Sequence, residues 1–129
     1  MKLKMIRSRV MENVNFTEGL AFDISEQDRV KTIKCSGHID SDNSILLSEI
    51  VNGIFKSGFF KIVIDLSAVK YISSAGWGIF LGNLRKATRG GGDIHLAGMQ
   101  QSVKEVYKLL ELNNLMLEFK TVQEASYFN

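Results

Sequence analysis

A chain of 129 residues falls short of the ~150 that an average domain occupies, so one hydrophobic core is expected and two independent ones are excluded. Its 45% apolar and 23% charged residues exclude a disordered or low-complexity chain. The formal charge of +2 hides an asymmetry: Lys2, Lys4, Arg7 and Arg9 stand among the first ten residues with no acid, while the rest carries twelve basic and fourteen acidic side chains, a net −2 without the basic stripe that nucleic acid requires.

Residues 1–16 differ in composition from the remainder of the chain and read as a basic N-terminal arm preceding one domain over 17–129. Leu3, Ile6, Val10 and Val14 give the arm a weak apolar stripe, suited to a loosely docked segment or to contact with an acidic surface of a partner or lipid. Translation starting at Met5 or Met11 rather than Met1 is a further reading. Leu20–Ser25 and Arg29–Ser36 are extended runs around Glu26-Gln27-Asp28, a pattern that predicts an antiparallel pair. Leu46, Leu47, Ile50, Val51, Ile54 and Phe55 recur at helical spacing, with Asp42, Asn43 and Ser44 as candidate caps and Gly58 beyond the end. Phe59–Leu66, with Ile62, Val63 and Ile64, predicts a central parallel strand covered on both faces. A second helix starts at Ser73 or Ser74, carries Trp77, Phe80, Leu81 and Leu84 on one face, and stops at Gly90 after Arg85, Lys86 and Arg89. Asp93–Gly98 is the next strand. Ser102 and Glu105 read as a capping box for a third helix that Asn113-Asn114 ends, Leu115–Phe119 as a last strand, and Thr121 with Glu124 as a second capping box before a helical stub. The expected fold is therefore α/β, a mostly parallel sheet of four to five strands opened by an antiparallel pair and packed with three to four helices. Its core should comprise Ile33, Leu46, Ile50, Ile54, Val63, Ile64, Phe80, Leu81, Leu84, Leu96, Val106 and Leu110.

No apolar stretch approaches the ~18 residues of a membrane span and the first residues lack a secretory apolar block, so a cytoplasmic location is expected. Cys35 has no partner for an intramolecular disulfide, and His38 and His95 do not complete a zinc-ligand spacing, so neither a metal nor a cofactor is expected. In such sheets functional groups gather where strands end and helices begin, which singles out Asp65 to Gly78. Ser73-Ser74-Ala75-Gly76 places two hydroxyls at a helix N-terminus, where one serves as a cap and where small neighbours leave the other open to a partner. A serine hydrolase with Asp93 and His95 as further members is the competing reading, but Ile72 stands where the nucleophile elbow needs glycine, and Asp93 and His95 share one strand. Gly90-Gly91-Gly92 makes no phosphate loop, since no Gly-Lys-Ser/Thr comes after it.

Gly37-His38-Ile39-Asp40, Val63-Ile64-Asp65-Leu66-Ser67, Val69, Tyr71-Ile72-Ser73-Ser74-Ala75-Gly76 and Gly91-Gly92, in this order and at these separations, resemble the STAS domain of the anti-sigma factor antagonists, a domain shared with sulfate transporters. The resemblance spans Leu20 to Phe128. It implies a non-catalytic switch whose partner is an anti-sigma factor that is also a serine kinase of the histidine-kinase-like ATPase fold, with a metal-dependent serine phosphatase reversing the modification. It places the phosphoacceptor on Ser74, with Ser73 as second choice because Ser73 stands where many members have Asp. Asp40 matches the family's acidic residue near the acceptor, with a cap or turn before the first helix as its other reading. Because the ends of strands two and three of a parallel arrangement open on the same edge, Asp40 and the Ser73-Ser74 turn should be neighbours, giving a partner-binding face of Asp40, Ser41, Ser73, Ser74, Gly76, Trp77 and Gly78, in which Trp77 is also, and first, read as core beside Phe80, Leu81 and Leu84. A scaffold or non-phosphorylated ligand-binding subunit of a signalling assembly is the alternative within the family.

Overall fold

The structure is a computed structural model that describes residues 4–5 and 14–128. Among the described residues seven strands form one sheet in unbroken chain order: β1 (Lys4–Met5), β2 (Val14–Thr17), β3 (Leu20–Gln27), β4 (Val30–Ile39), β5 (Lys61–Ile72), β6 (Asp93–Ala97) and β7 (Glu118–Phe119). The first four are joined antiparallel; β4 to β5, β5 to β6 and β6 to β7 pair in parallel. Each parallel step is spanned by a helix, α1 (Ser44–Lys56), α2 (Ser74–Arg89) or α3 (Gln101–Leu109), and α4 (Val122–Ala125) comes after β7. Because the spatial order never reverses, three right-handed crossovers carry α1, α2 and α3 to the same face of the sheet.

Strands β3 to β7 are the anticipated sheet, an antiparallel pair leading into parallel strands. β1 and β2 extend it to seven strands rather than the four or five expected. The boundary drawn after residue 16 falls inside β2, where Gly19 at φ +81° turns the chain back into β3. Val14 therefore lies in a strand rather than on a helical stripe; Leu3, Ile6 and Val10 are outside the described residues. The β3–β4 turn is tighter than the sequence suggested. Asp28 and Arg29, at φ 54° and 69°, form a two-residue loop of the left-handed type that suits the twist of a hairpin.

Side chains alternate between two unequal cores. Ile62, Ile64 and Leu66 of β5 face the three helices with Ile33, Leu46, Leu47, Val51, Phe80, Leu96 and Val103, whereas Val63 faces the other side with Val30, Ala97 and Ala125 of α4. Strand β5 is thus covered on both faces, and it runs six residues past the expected Leu66. A β-bulge disguises the extension: the register shifts between Lys34 and Ser36, and the Asp65 side chain accepts a hydrogen bond from Ser67 N at 3.0 Å, a turn-like signal within a strand. Of the expected core, Ile50, Leu81, Leu84 and Val106 are partly buried, and Leu110 is 50% exposed because α3 has ended and Glu111 reverses the chain at φ 56°. The Ser102–Glu105 capping box does not form. Helix α3 starts two residues earlier, with Gln100 as its N-cap, and the Ser102 hydroxyl donates to Lys70 O instead. The Thr121–Glu124 box does form, with Glu124 N bonded to Thr121 Oγ1 at 3.1 Å. The final strand is only Glu118–Phe119, since Leu112–Asn114 closes into a 3₁₀ turn.

Candidate functional site

The parallel pairing of β4 with β5 brings two distant motifs to one edge. Ile39 pairs with Ile72, and Ser73 N donates to Ile39 O at 2.8 Å, so the Asp40 turn and the start of α2 are neighbours, as the topology predicted. Ser73 is the N-cap: its backbone is extended at ψ 169°, and its Oγ accepts from Gly76 N at 3.2 Å, a bond worth about 1 kcal/mol. Ser74 is the first helical residue and is exposed. Its N–H and that of Ala75 bond to no group among the described residues, so the positive end of the α2 dipole lies open beside the Ser74 hydroxyl.

The glycines and the tryptophan separate into different roles. A Cβ on Gly76 would lie 2.8 Å from both Ile39 Cγ2 and Ile72 Cγ2, so this buried residue lets α2 close onto the strand ends and offers no side-chain surface to a partner. Trp77, read first as core and second as an anchor on the partner-binding face, belongs to the core. It is 3% exposed, edge-on to Phe80 at 5.7 Å and tilted against Tyr107 at 6.1 Å. Gly78 is exposed with nothing within 4 Å of a built Cβ, and Gly82 one turn further on is equally open. The exposed surface around the α2 start is therefore Ser74, Ala75 and Gly78, with Ile45 and Tyr71, 55% and 57% exposed, at the adjoining starts and ends of α1 and β5.

Asp40 caps the turn before α1, one of its two readings from the sequence, within a network that also takes in Asn43 and His38. Its Oδ1 accepts from Asp42 N and Asn43 N, both at 2.9 Å, while Asn43 Oδ1 accepts from Asp40 N at 2.9 Å: a reciprocal cap on the turn leading into α1. Buried Asn43 also donates to His38 O at 3.0 Å, and His38 Nε2 lies 3.1 Å from Asp40 Oδ2. The Asn43 N–H above all, then that of Asp42 and the His38 ring, hold the Asp40 carboxyl below the usual carboxylate range. The spacing Asp-x-x-Asn was the available signal, a cap pattern with Asn in place of the more familiar Glu. Ser41 is exposed next to this turn. Gly37 has φ +115° and a Cβ there would collide with Gly19 O, so the glycine of the Gly-His-Ile-Asp motif is required by the approach of the β2–β3 turn.

The hydrolase constellation is not assembled. His95 is 4% exposed on the α4 side of the sheet, stacked on Phe128 at 3.9 Å, with Nδ1 2.7 Å from Ala125 O and Nε2 3.4 Å from Asp93 Oδ2. Among the described residues neither ring nitrogen bonds to Ser73 or Ser74. Burial pushes the Cys35 thiol far up, which leaves it protonated and unreactive. Among the described residues no cluster of His, Cys, Asp and Glu could hold a metal ion, and no helix is long and apolar enough to cross a membrane.

Residues 21–125 match the STAS domain. The chain belongs to the STAS domain family. This STAS chain is 24% identical over 97 residues to the anti-sigma-B factor antagonist of Staphylococcus aureus (strain NCTC 8325 / PS 47), an alignment covering 75% of this chain and 90% of that protein. Its fold superposes on an anti-sigma factor antagonist from Mycobacterium paratuberculosis with a TM-score of 0.75 at 22% identity, covering 82% and 90% of the two chains. It also superposes on the Bacillus cell fate determinant SpoIIAA in its phosphorylated form, with a TM-score of 0.64 at 19% identity over 81% and 95%. The STAS architecture, an antiparallel strand pair leading into parallel strands with four helices, is thus established for this chain.

Proposed function

We propose that this STAS chain is an anti-sigma factor antagonist, a non-catalytic cytoplasmic protein that sequesters an anti-sigma factor and so releases a sigma factor. Its partner is an anti-sigma factor that is also a serine kinase of the histidine-kinase-like ATPase fold. Phosphorylation of Ser74 switches the antagonist off, and a metal-dependent serine phosphatase resets it. The observation that carries this reading is the division of labour between adjacent serines: Ser73 commits its hydroxyl to the helix cap, and Ser74 presents its own to solvent.

The electrostatics support a switch that does not refold. A phosphate on Ser74 brings about 1.5 to 2 negative charges to a helix mouth, where the dipole and the unpaired N–H groups of Ser74 and Ala75 accommodate it. A partner that buries the unmodified hydroxyl has to desolvate that dianion near the ionised Asp40. A loss of about 3 kcal/mol weakens binding more than a hundredfold. Gly78 and Gly82 support a contact along α2, since each costs the helix about 1 kcal/mol relative to Ala and neither is required by a close approach of the described residues. Asp40, with both carboxylate oxygens engaged, contributes by holding the turn that carries exposed Ser41 beside α2.

Capture of partners from the native cell, with phosphopeptide mapping after reaction with the recovered ATPase, tests the proposal. Label on Ser74 is expected. Label confined to Ser73 refutes the assignment, and binding without label on either serine replaces the switch by a scaffold role.

A further inference from the structure

Cations that are scattered along the sequence are gathered by the fold. Strands β4, β5 and β6 start at one end of the sheet, where Val30, Lys61 and Asp93 are cross-strand neighbours. Helices α1 and α2 end there too, with the glycines after α2 closing onto Phe60 at the start of β5. Arg29 donates to Gly58 O at 3.3 Å and lies 4.7 Å over the Phe59 ring, and Lys31 lies 4.6 Å over the same ring. Around this end Arg29, Lys56, Lys61, Arg85, Lys86 and Arg89 are exposed or half-buried, and they form no ion pair among the described residues. Against them stand Asp28, Glu26, which holds Lys31 at 3.4 Å, and Asp93, which is turned to His95. Helix dipoles account for part of the excess only: two helix ends carry about one negative charge together, and Arg29 and Lys61 belong to no helix. Arg29 is moreover held at φ 69° in a two-residue turn, a position that glycine fills without steric cost. Ser74 and Arg89 open and close α2, about 22 Å apart along its axis, so the basic end faces away from the phosphoacceptor.

We propose that this basic end docks on the anionic headgroups of a phospholipid bilayer. An excess of one sign selects a polyanion. The arrangement selects a planar one: the cations come from the β3–β4 turn, the end of α1, the start of β5 and the end of α2, and so ring the end of the sheet. A nucleic acid strand is held instead in a basic groove by aromatic rings on which its bases stack. Phe55, Phe59 and Phe60 offer no such platform, since Phe55 stacks on Phe60 at 5.5 Å and Phe59 lies under Arg29 and Lys31. Tyr127 supplies what a headgroup layer favours. It is 82% exposed and borders the same hollow as Lys61, Gly91 and Gly92, an amphipathic ring beside cations. Docked in this way, the chain turns the Ser74 edge, with Glu18, Asp40 and Asp42, away from the like-charged lipid and towards a soluble partner.

Co-sedimentation of the full chain with vesicles of phosphatidylcholine alone, or of phosphatidylcholine with about one-third phosphatidylglycerol, provides the test. Anionic vesicles should carry the protein down at low salt, neutral vesicles should not, and about 0.5 M salt should release it. Lys56→Gln, Lys61→Gln and Arg89→Gln combined should weaken binding about a hundredfold, at roughly fivefold per charge. The control removes the same net charge elsewhere: Lys34→Gln, Lys70→Gln and Lys120→Gln combined, on β4, far along β5 and past β7, should bind within about fivefold of the wild type. Both triple variants should keep the wild-type melting curve, every changed side chain being exposed or half-buried and outside the core. Tyr127→Ser should weaken vesicle binding severalfold. A wild-type chain that ignores anionic vesicles, or equal losses in the two triple variants, overturns the proposal. A chain that binds a DNA duplex in the same buffer but not the vesicles overturns it as well and gives this end to nucleic acid.

Discussion

Gly76 and Gly78 stand two residues apart in α2 and should respond to alanine with opposite signs. At Gly76 the new methyl meets Ile39 Cγ2 and Ile72 Cγ2 at 2.8 Å, closer than carbon atoms tolerate. Both partners are methyls on β-branched carbons with stiff χ1, so they yield only if the strand ends or α2 move. Overpacking of this kind costs about 1 to 3 kcal/mol, and the better helix propensity of alanine offsets about 1 kcal/mol of it. The net is a destabilisation of up to about 2 kcal/mol. At Gly78 the methyl enters open space, and only the propensity gain of about 1 kcal/mol remains. Urea unfolding of the two variants should place their midpoints on either side of the wild type, and melting temperatures should move apart by several degrees. A Gly76→Ala protein as stable as the wild type, or a Gly78→Ala protein less stable, refutes the packing argument. The same pair separates structure from binding: Gly78→Arg should impair capture of the kinase in a fully folded protein, since the residue is exposed one turn from Ser74.

Trp77→Ala should lose about 3 to 5 kcal/mol of stability, because the ring is fully packed against Phe80 and Tyr107; a folded variant of normal stability that merely binds less tightly would return Trp77 to the interface. Asp40 has its pKa lowered in the folded state, so its ionised form stabilises the fold above the ordinary carboxylate pKa of about 4, and that contribution is lost as the pH falls through the folded value. Unfolding measured between neutral pH and about pH 2 should therefore show a steeper acid loss for the wild type than for Asp40→Asn, which starts less stable at neutral pH; parallel curves would contradict the network. Deleting residues 1–10 should change stability by less than about 1 kcal/mol, because the described residues of that span are the two-residue β1 at the outer edge of the sheet. A large loss on calorimetry would make that edge integral to the domain.

The order of elements was legible because periodicity and punctuation agreed: the helical spacing from Leu46 to Phe55, the continuous apolar run at Ile62–Ile64, and the small residues around Ser73. The juxtaposition of Asp40 with Ser73 was also legible, since parallel strands adjacent in sequence must end on the same side. Legibility failed where one local signal has two uses. Ser102 with Glu105 has the spacing of a capping box, yet its hydroxyl serves the end of β5. Asp65-Leu66-Ser67 reads as the end of a strand, yet the Asp65 side chain sustains a bulge through which β5 continues. Leu110 continues a helical apolar face by spacing, but burial depends on the backbone still being helical there, and the reversal at Glu111 turns it outward. Trp77 lay on an apolar face and beside small exposed residues at once; only the positions of Phe80 and Tyr107 decide that the ring points inward. The reciprocal Asp40–Asn43 cap was legible in the spacing Asp-x-x-Asn, whereas the bond from Asn43 Nδ2 to Glu18 O depends on the close approach of the β2–β3 turn, a tertiary contact with no trace in local spacing.

The central claim is that one dianion at the mouth of α2 governs partner binding while the domain stays intact. Its most direct measurement is calorimetric titration of the recovered anti-sigma factor with the unmodified chain and with the same chain phosphorylated only at Ser74. Phosphorylation should lower the affinity by about a hundredfold or more, with closely similar melting curves for the two forms. Equal affinities, or a modified chain that has lost its fold, would contradict it.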